Sequence, residues 1–226
     1  MTQNNLGNAL SSQGERSEGA EGARLMGEAI TAYRAALSVR TREQLPQDWA
    51  ITQSNVGVVL SNWGKRNAGA EREKLLIEAV NAFQNVLTFF PSYKRSFQGA
   101  NSLYHEVLFK FPDAFELKQR WLATHPNDAS VLPDFAENHF TTGRFAECRE
   151  RIAALLAQPQ LAIDTKSALR MIEIANLLAL GQAQAIPDKL DALIAAVATQ
   201  PADFKITWTF NGTLHFIGQE EKLSAY

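Results

Sequence analysis

Cysteine is all but missing from this chain of 226 residues: Cys148 stands alone, so no internal disulfide can form, which fits a reducing compartment and a cytoplasmic location. Long apolar runs are missing too. The longest, "IAALLA" from Ile152 and "ALIAAVA" from Ala192, fall far short of the roughly 20 residues that cross a bilayer, and "MTQNNLGNAL" has no basic start leading into an apolar core. No dense basic field exists. The largest excess is 9 basic against 6 acidic side chains in residues 51–126, and the net charge is −2, which argues against nucleic acid and against an acidic membrane surface as partners. The β-branched residues are few, with 9 Val and 11 Ile against 33 Ala and 25 Leu. That balance favours helix over strand and predicts an all-α chain. With 46% hydrophobic and 20% charged residues, disorder throughout is excluded.

What is present is a repeat. "TQNNLGNALSSQGER" from Thr2 returns as "TQSNVGVVLSNWGKR" from Thr52, a period of 50 residues. Under that shift Gly7 falls on Gly57, Gly14 on Gly64, Gly19-Ala20-Glu21 on Gly69-Ala70-Glu71, Leu25 on Leu75, Ala32 on Ala82 and Leu37 on Leu87. Each copy reads as two amphipathic helices. In the second copy the first runs from about Asp48 to Trp63 and the second from about Ala70 to Phe89, with Leu75, Leu76, Ala79, Val80, Phe83, Val86 and Leu87 on one stripe and Pro91 closing it. Gly57 and Ala79 are small enough to let the two helix backbones approach while Phe83 fills the space beside them. The loops near Glu15 to Ala23 and Lys65 to Ala70 occupy the same place in the unit and are expected on the same side.

The residues Val56-Gly57, Gly64, Ala79, Phe83, Val86 and Pro91, with Ala29-Tyr33-Ala36 in the first copy, make this chain resemble the tetratricopeptide repeat family. The 50-residue copies look similar to those of kinesin light chains and of bacterial multi-repeat signalling proteins. Downstream, Pro91, Pro126, Pro159 and Pro201 keep the punctuation while the likeness fades. Leu132, Phe135-Ala136, Gly143, Cys148, Ile152 and Leu155 make a good further copy. The resemblance implies a right-handed superhelical solenoid and a single array over residues 1–226: repeats at 1–47, 48–91, 92–126, 127–159 and 160–201, with a partial sixth at 202–226. Phe204, Trp208, Phe210, Leu214 and Gly218 are expected on the first helix of that sixth unit, and "QEEKLSAY" at the start of its second. The chain is expected to be a segment of a longer repeat protein, with Trp208, Phe210 and Phe216 partly exposed and able to mediate self-association.

Known chemical signatures are sparse. The four histidines, His105, His125, His139 and His215, sit in no metal-binding spacing, so no cofactor or metal is expected. Glu137 and His139, two apart, point to different faces of a helix and read as a solvated or half-buried pair. Cys148 occupies a small-residue packing position and reads as core. The glycine-rich "GERSEGAEGAR" and "GKRNAGAER" recur as loops of the repeat and lack the Gly-Lys-Ser/Thr of a phosphate loop.

By resemblance, first helices line a concave groove that binds a peptide or a partner protein. The groove positions here are Asn4, Asn5, Asn8, Ser54, Asn55, Val58, Asn62, Arg95, Gln98, Ser102 and His105. Asparagine both donates and accepts, so a ladder of asparagines can satisfy an extended backbone without demanding one side chain. The expected role is a non-enzymatic interaction scaffold. The alternatives are a sensor region controlling an attached protease-like or nucleotide-binding module, and a small enzyme with a dispersed site.

Overall fold

The computed structural model describes residues 2–220 and Leu223, and among them every regular element is helical. Two compact units divide the chain, Met1–Tyr104 and His105–Tyr226.

The first unit holds α1 (Gln3–Arg16), α2 (Gly19–Leu37), α3 (Pro46–Lys65), α4 (Gly69–Phe89) and α5 (Lys94–Ser102). The helix α3 starts at Pro46, earlier than the expected Asp48, because a proline in the first turn loses no hydrogen bond and Asp48 then faces the positive helix end. Each pair packs through one tight contact. A Cβ placed on Gly7 would lie 2.7 Å from the Tyr33 ring, and one on Gly57 would lie 2.7 Å from the Phe83 ring. Glycine at these two related positions lets an aromatic ring seat against the helix backbone. Phe83 also presses on α5, where a Cβ on Gly99 would come within 2.5 Å of it. The buried stripes Leu25, Met26, Ala29, Ile30 and Tyr33 on α2, and Leu75, Leu76, Ala79, Val80 and Phe83 on α4, recur in register. Burying each large side chain contributes about 1.5–3 kcal/mol. Gly19 and Gly69 open α2 and α4 with φ of 57° and 60°, a left-handed turn that favours glycine. The two inter-helix loops adjoin as expected: Arg66, at the end of α3, donates to the carbonyls of Gly14 (2.8 Å), Glu15 and Ser17 (3.1 Å) at the end of α1.

A π-helical turn, Leu103–Val107, leads into the second unit. That unit holds α6 (Phe111–Thr124), α7 (Leu132–Thr141), α8 (Phe145–Leu156), α9 (Ile163–Ala179), a short 3-10 turn at Ala183–Ala185, α10 (Ile186–Ala198) and α11 (Asn211–Gln219). The helix α7 is central, with every side chain from Phe135 to Thr141 buried. Its Phe140 packs in one cluster with Cys148, Ile152, Leu169, Ile172 and Leu223, with Phe145, Phe210 and Phe216 against them. No helix among the described residues is long and apolar enough to cross a membrane.

The sixth unit departs from expectation. Phe204, Trp208 and Phe210 are not on a helix, since α11 begins only at Asn211. The preceding "KITWTF" carries β-branched residues that disfavour helix, and it is held in place by its side chains: Thr207 Oγ1 donates to Asp164 Oδ2 (3.0 Å) and Trp208 Nε1 donates to Glu137 Oε2 (2.8 Å). Trp208, Phe210 and Phe216 are each half-buried. Of the second helix expected after Gly218, Glu221, Lys222, Ser224, Ala225 and Tyr226 lie outside the described residues, while Leu223 is buried in the core.

Candidate functional site

The first helices of the first unit, α1, α3 and α5, bring polar side chains together at helical spacing. Between them lies a depression of about 200 Å³ whose lining includes Asn8, Ser12, Tyr33, Asn55, Val58 and Arg95. Asn8 is its hub. The Asn8 Oδ1 accepts from Tyr33 Oη (2.7 Å) and from Asn55 Nδ2 (3.3 Å). Two turns further on, Asn62 Nδ2 donates to Glu15 Oε1 (2.8 Å). The Tyr33 hydroxyl is pushed up to about 12 by burial, while the Arg95 charge draws it partly back. It therefore stays protonated and remains a donor at neutral pH. Asn8 and Arg95 are exposed at this depression.

The eleven groove positions divide by environment. Asn5, Asn8, Arg95 and Gln98 are exposed, and Val58, Asn62 and Ser102 are half-buried. Asn55 is buried, with its amide directed to Asn8. Asn4, Ser54 and His105 do not face solvent as expected. Asn4 and Ser54 stand one period apart and do the same job: Asn4 Oδ1 accepts from Thr52 Oγ1 on α3 (3.1 Å), and Ser54 Oγ bonds Ser96 Oγ on α5 (2.7 Å). Each ties a first helix to the next one. His105 belongs to the second unit, where the π-helical turn carries its ring into the interior at 1% exposure.

The second unit buries a polar cluster that the sequence did not announce. His105 Nδ1 bonds Glu106 Oε1 (2.8 Å), and His105 Nε2 lies 3.5 Å from Thr141 Oγ1. Lys118, fully buried on α6, pairs with Asp134 (3.0 Å) and donates to Asn138 Oδ1 (3.3 Å). Glu137 is 1% exposed, contrary to the solvated or half-buried pair expected with His139. Its carboxylate accepts from Trp208 and, on the other oxygen, from Thr213. Burial pushes the Glu137 carboxyl above its usual range, with the His105 charge pulling it back. His139 is also buried. Burial lowers its pKa, Nδ1 donates to the Phe135 carbonyl (2.7 Å), and Nε2 is left to accept from Arg151 Nε (3.1 Å). Cys148 is core as expected, its thiol pushed up to about 12 by burial. Apart from His105 with Glu106 and His139 with the Phe135 carbonyl, these pairings do not follow from local spacing, because the partners come from α6, α7, α8, the π-helical turn and the C-terminal stretch.

Neither a protein-family model nor a curated protein matches the chain.

Proposed function

We propose that the first unit is a peptide-binding module of tetratricopeptide-like repeats, acting as an interaction scaffold in the cytoplasm. Its helix pairs α1/α2 and α3/α4 are read as successive turns of a right-handed solenoid, with α1, α3 and α5 forming the ligand face. The observation that carries this reading is the depression where exposed Asn8 and Arg95 flank a hydrogen-bonded asparagine and tyrosine cluster. Asn8 offers its amide N–H groups to a ligand carbonyl while its own oxygen is held by Tyr33 and Asn55. Fixed polar groups of this kind lose little freedom when a ligand arrives. Arg95 adds a cation for an acidic side chain or a carboxylate terminus of the peptide.

The test is selection of binders from a random peptide display library on the full-length chain, followed by titration of the recovered peptides against Asn8→Ala and Arg95→Glu. Arg95 is exposed, so circular dichroism melting of Arg95→Glu should be close to the parent's, whereas Asn8→Ala also removes the acceptor of Tyr33 and Asn55 and should melt lower, so its titration is made at a temperature where circular dichroism shows it folded. Affinity should fall about tenfold for each, or roughly 1.4 kcal/mol. Recovery of no peptide, or of peptides that bind both variants as well as the parent, would remove the groove as the ligand face.

A further inference from the structure

A second site, independent of the groove, is present in the second unit. We infer that His105, Asp134 and Glu137 form a binding site for one divalent transition-metal cation, which fastens the C-terminal stretch to α7.

One ligand atom from each of the three residues lies within 4.8 Å of the other two. Around a zinc-sized ion with bonds of about 2.0–2.2 Å, donor atoms in tetrahedral array sit about 3.4 Å apart, so a contraction of up to about 1.4 Å closes the cluster. The imidazole is prepared for this. Glu106 Oε1, 2.8 Å from Nδ1, holds the proton on that nitrogen and leaves the Nε2 lone pair for a ligand. A carboxylate behind a histidine in this way fixes its tautomer and raises its basicity as a ligand. Glu137 is supported in the same manner, by donors from Trp208 and Thr213 that fix the orientation of its carboxylate. The backbone around His105 is a π-helical turn, a local widening that recurs at functional sites and here turns the ring inward.

Charge points the same way. Glu106, Asp134 and Glu137 gather around His105 in a largely buried space, where the Lys118 ammonium is paired with Asp134. Burying three carboxylates close together gathers an excess of negative charge and is costly. A divalent ion between Asp134 and Glu137 balances that excess, with Lys118 remaining in the outer layer as a partner of Asp134. One imidazole and two carboxylates suit zinc or manganese better than calcium, which favours six to eight oxygens. The three ligands come from the π-helical turn and α7, and the outer donors from the stretch before α11 and from α11 itself. Occupancy would therefore hold residues 208–213 against α7.

The experiment uses the untagged full-length chain, stripped with a chelator and dialysed against micromolar zinc or manganese chloride, with bound metal measured by atomic emission. One equivalent per chain is expected, together with a higher melting temperature and slower proteolysis within residues 199–210. His105→Ala and Glu137→Gln, checked for folding by circular dichroism, should each weaken binding by at least tenfold. If either variant does not fold, the parent's stoichiometry decides alone. Less than about a tenth of an equivalent with both ions would overturn the inference, leaving a hydrogen-bonded network in which Lys118 pairs with Asp134. So would one equivalent retained unweakened by folded variants, which would place the ion elsewhere.

Discussion

Gly57→Ala and Gly27→Ala make the same chemical change in neighbouring helices of the first unit, yet the packing assigns them opposite signs. In both, replacing a helical glycine reduces the freedom of the unfolded chain and favours the helix by up to about 1 kcal/mol. At Gly27 that gain stands, because the nearest atom to a new Cβ is Trp63 Cη2 at 3.8 Å, an ordinary contact. At Gly57 the new methyl would lie 2.7 Å from Phe83 Cε1 and 2.9 Å from Cδ1. The ring is only 1% exposed and is blocked on a second side by Gly99, where even a Cβ would approach to 2.5 Å. It has no room to retreat. Overpacking of this kind costs about 1–3 kcal/mol, and the trapped ring places Gly57 in the upper part of that range. The net expectation is a loss of about 1–2 kcal/mol for Gly57→Ala and a gain of about 0.5–1 kcal/mol for Gly27→Ala. Urea titration of the full-length chain, followed by circular dichroism and by tryptophan emission, measures both. A Gly57→Ala chain at least as stable as the parent would show that α3 and α4 do not pack through the Phe83 ring.

Ser54→Ala and Ser96→Ala should each cost about 1 kcal/mol or more by orphaning a buried hydroxyl, whereas the double variant should cost less than their sum, as a double-mutant cycle by denaturation would show. Tyr33, raised to about 12 when folded against about 10 when unfolded, contributes stability that is complete below pH 10 and declines as pH rises from 10 to 12. Stability of Tyr33→Phe, lower at neutral pH by about 0.5–1.5 kcal/mol for the lost bond to Asn8, should therefore fall less steeply over that interval in pH-dependent melting. Cys148, buried and raised to about 12, should resist a thiol-reactive dye at pH 8 and become labelled only as urea opens the second unit; rapid labelling of the native chain would contradict its place in the core.

The first four helices were legible because their signals are local and occur twice. A glycine one period from another glycine, each facing an aromatic on the following helix, sets register without knowledge of the rest of the chain. The groove was half legible. Periodicity assigns Asn4, Asn8, Ser54 and Asn55 to one helical sector, but a polar side chain facing the neighbouring helix follows the same spacing as one facing water. Only Thr52 opposite Asn4 and Ser96 opposite Ser54 separate the two cases. The buried cluster was illegible for a different reason: Trp208 reaches Glu137 across 71 residues and His105 meets Thr141 across 36, in the region where the repeat has faded. The aromatic spacing of Phe204, Trp208 and Phe210 imitates a helical stripe, and the competing β-branched residues decided otherwise.

Arg66 carries a consequence for how the first unit comes apart. At the end of α1 the Ser17 N–H reaches only the Gln13 and Gly14 carbonyls, and the guanidinium that binds the carbonyls of Gly14, Glu15 and Ser17 is supplied by the next repeat. The end of one repeat is therefore complete only when its successor is folded. In a linear array, stability divides between the repeats themselves and their junctions. A junction that includes the helix cap as well as the apolar contact moves weight to the second share. Loss of α3 would strip the cap from α1, so the two copies should melt as one cooperative block rather than peel away in sequence.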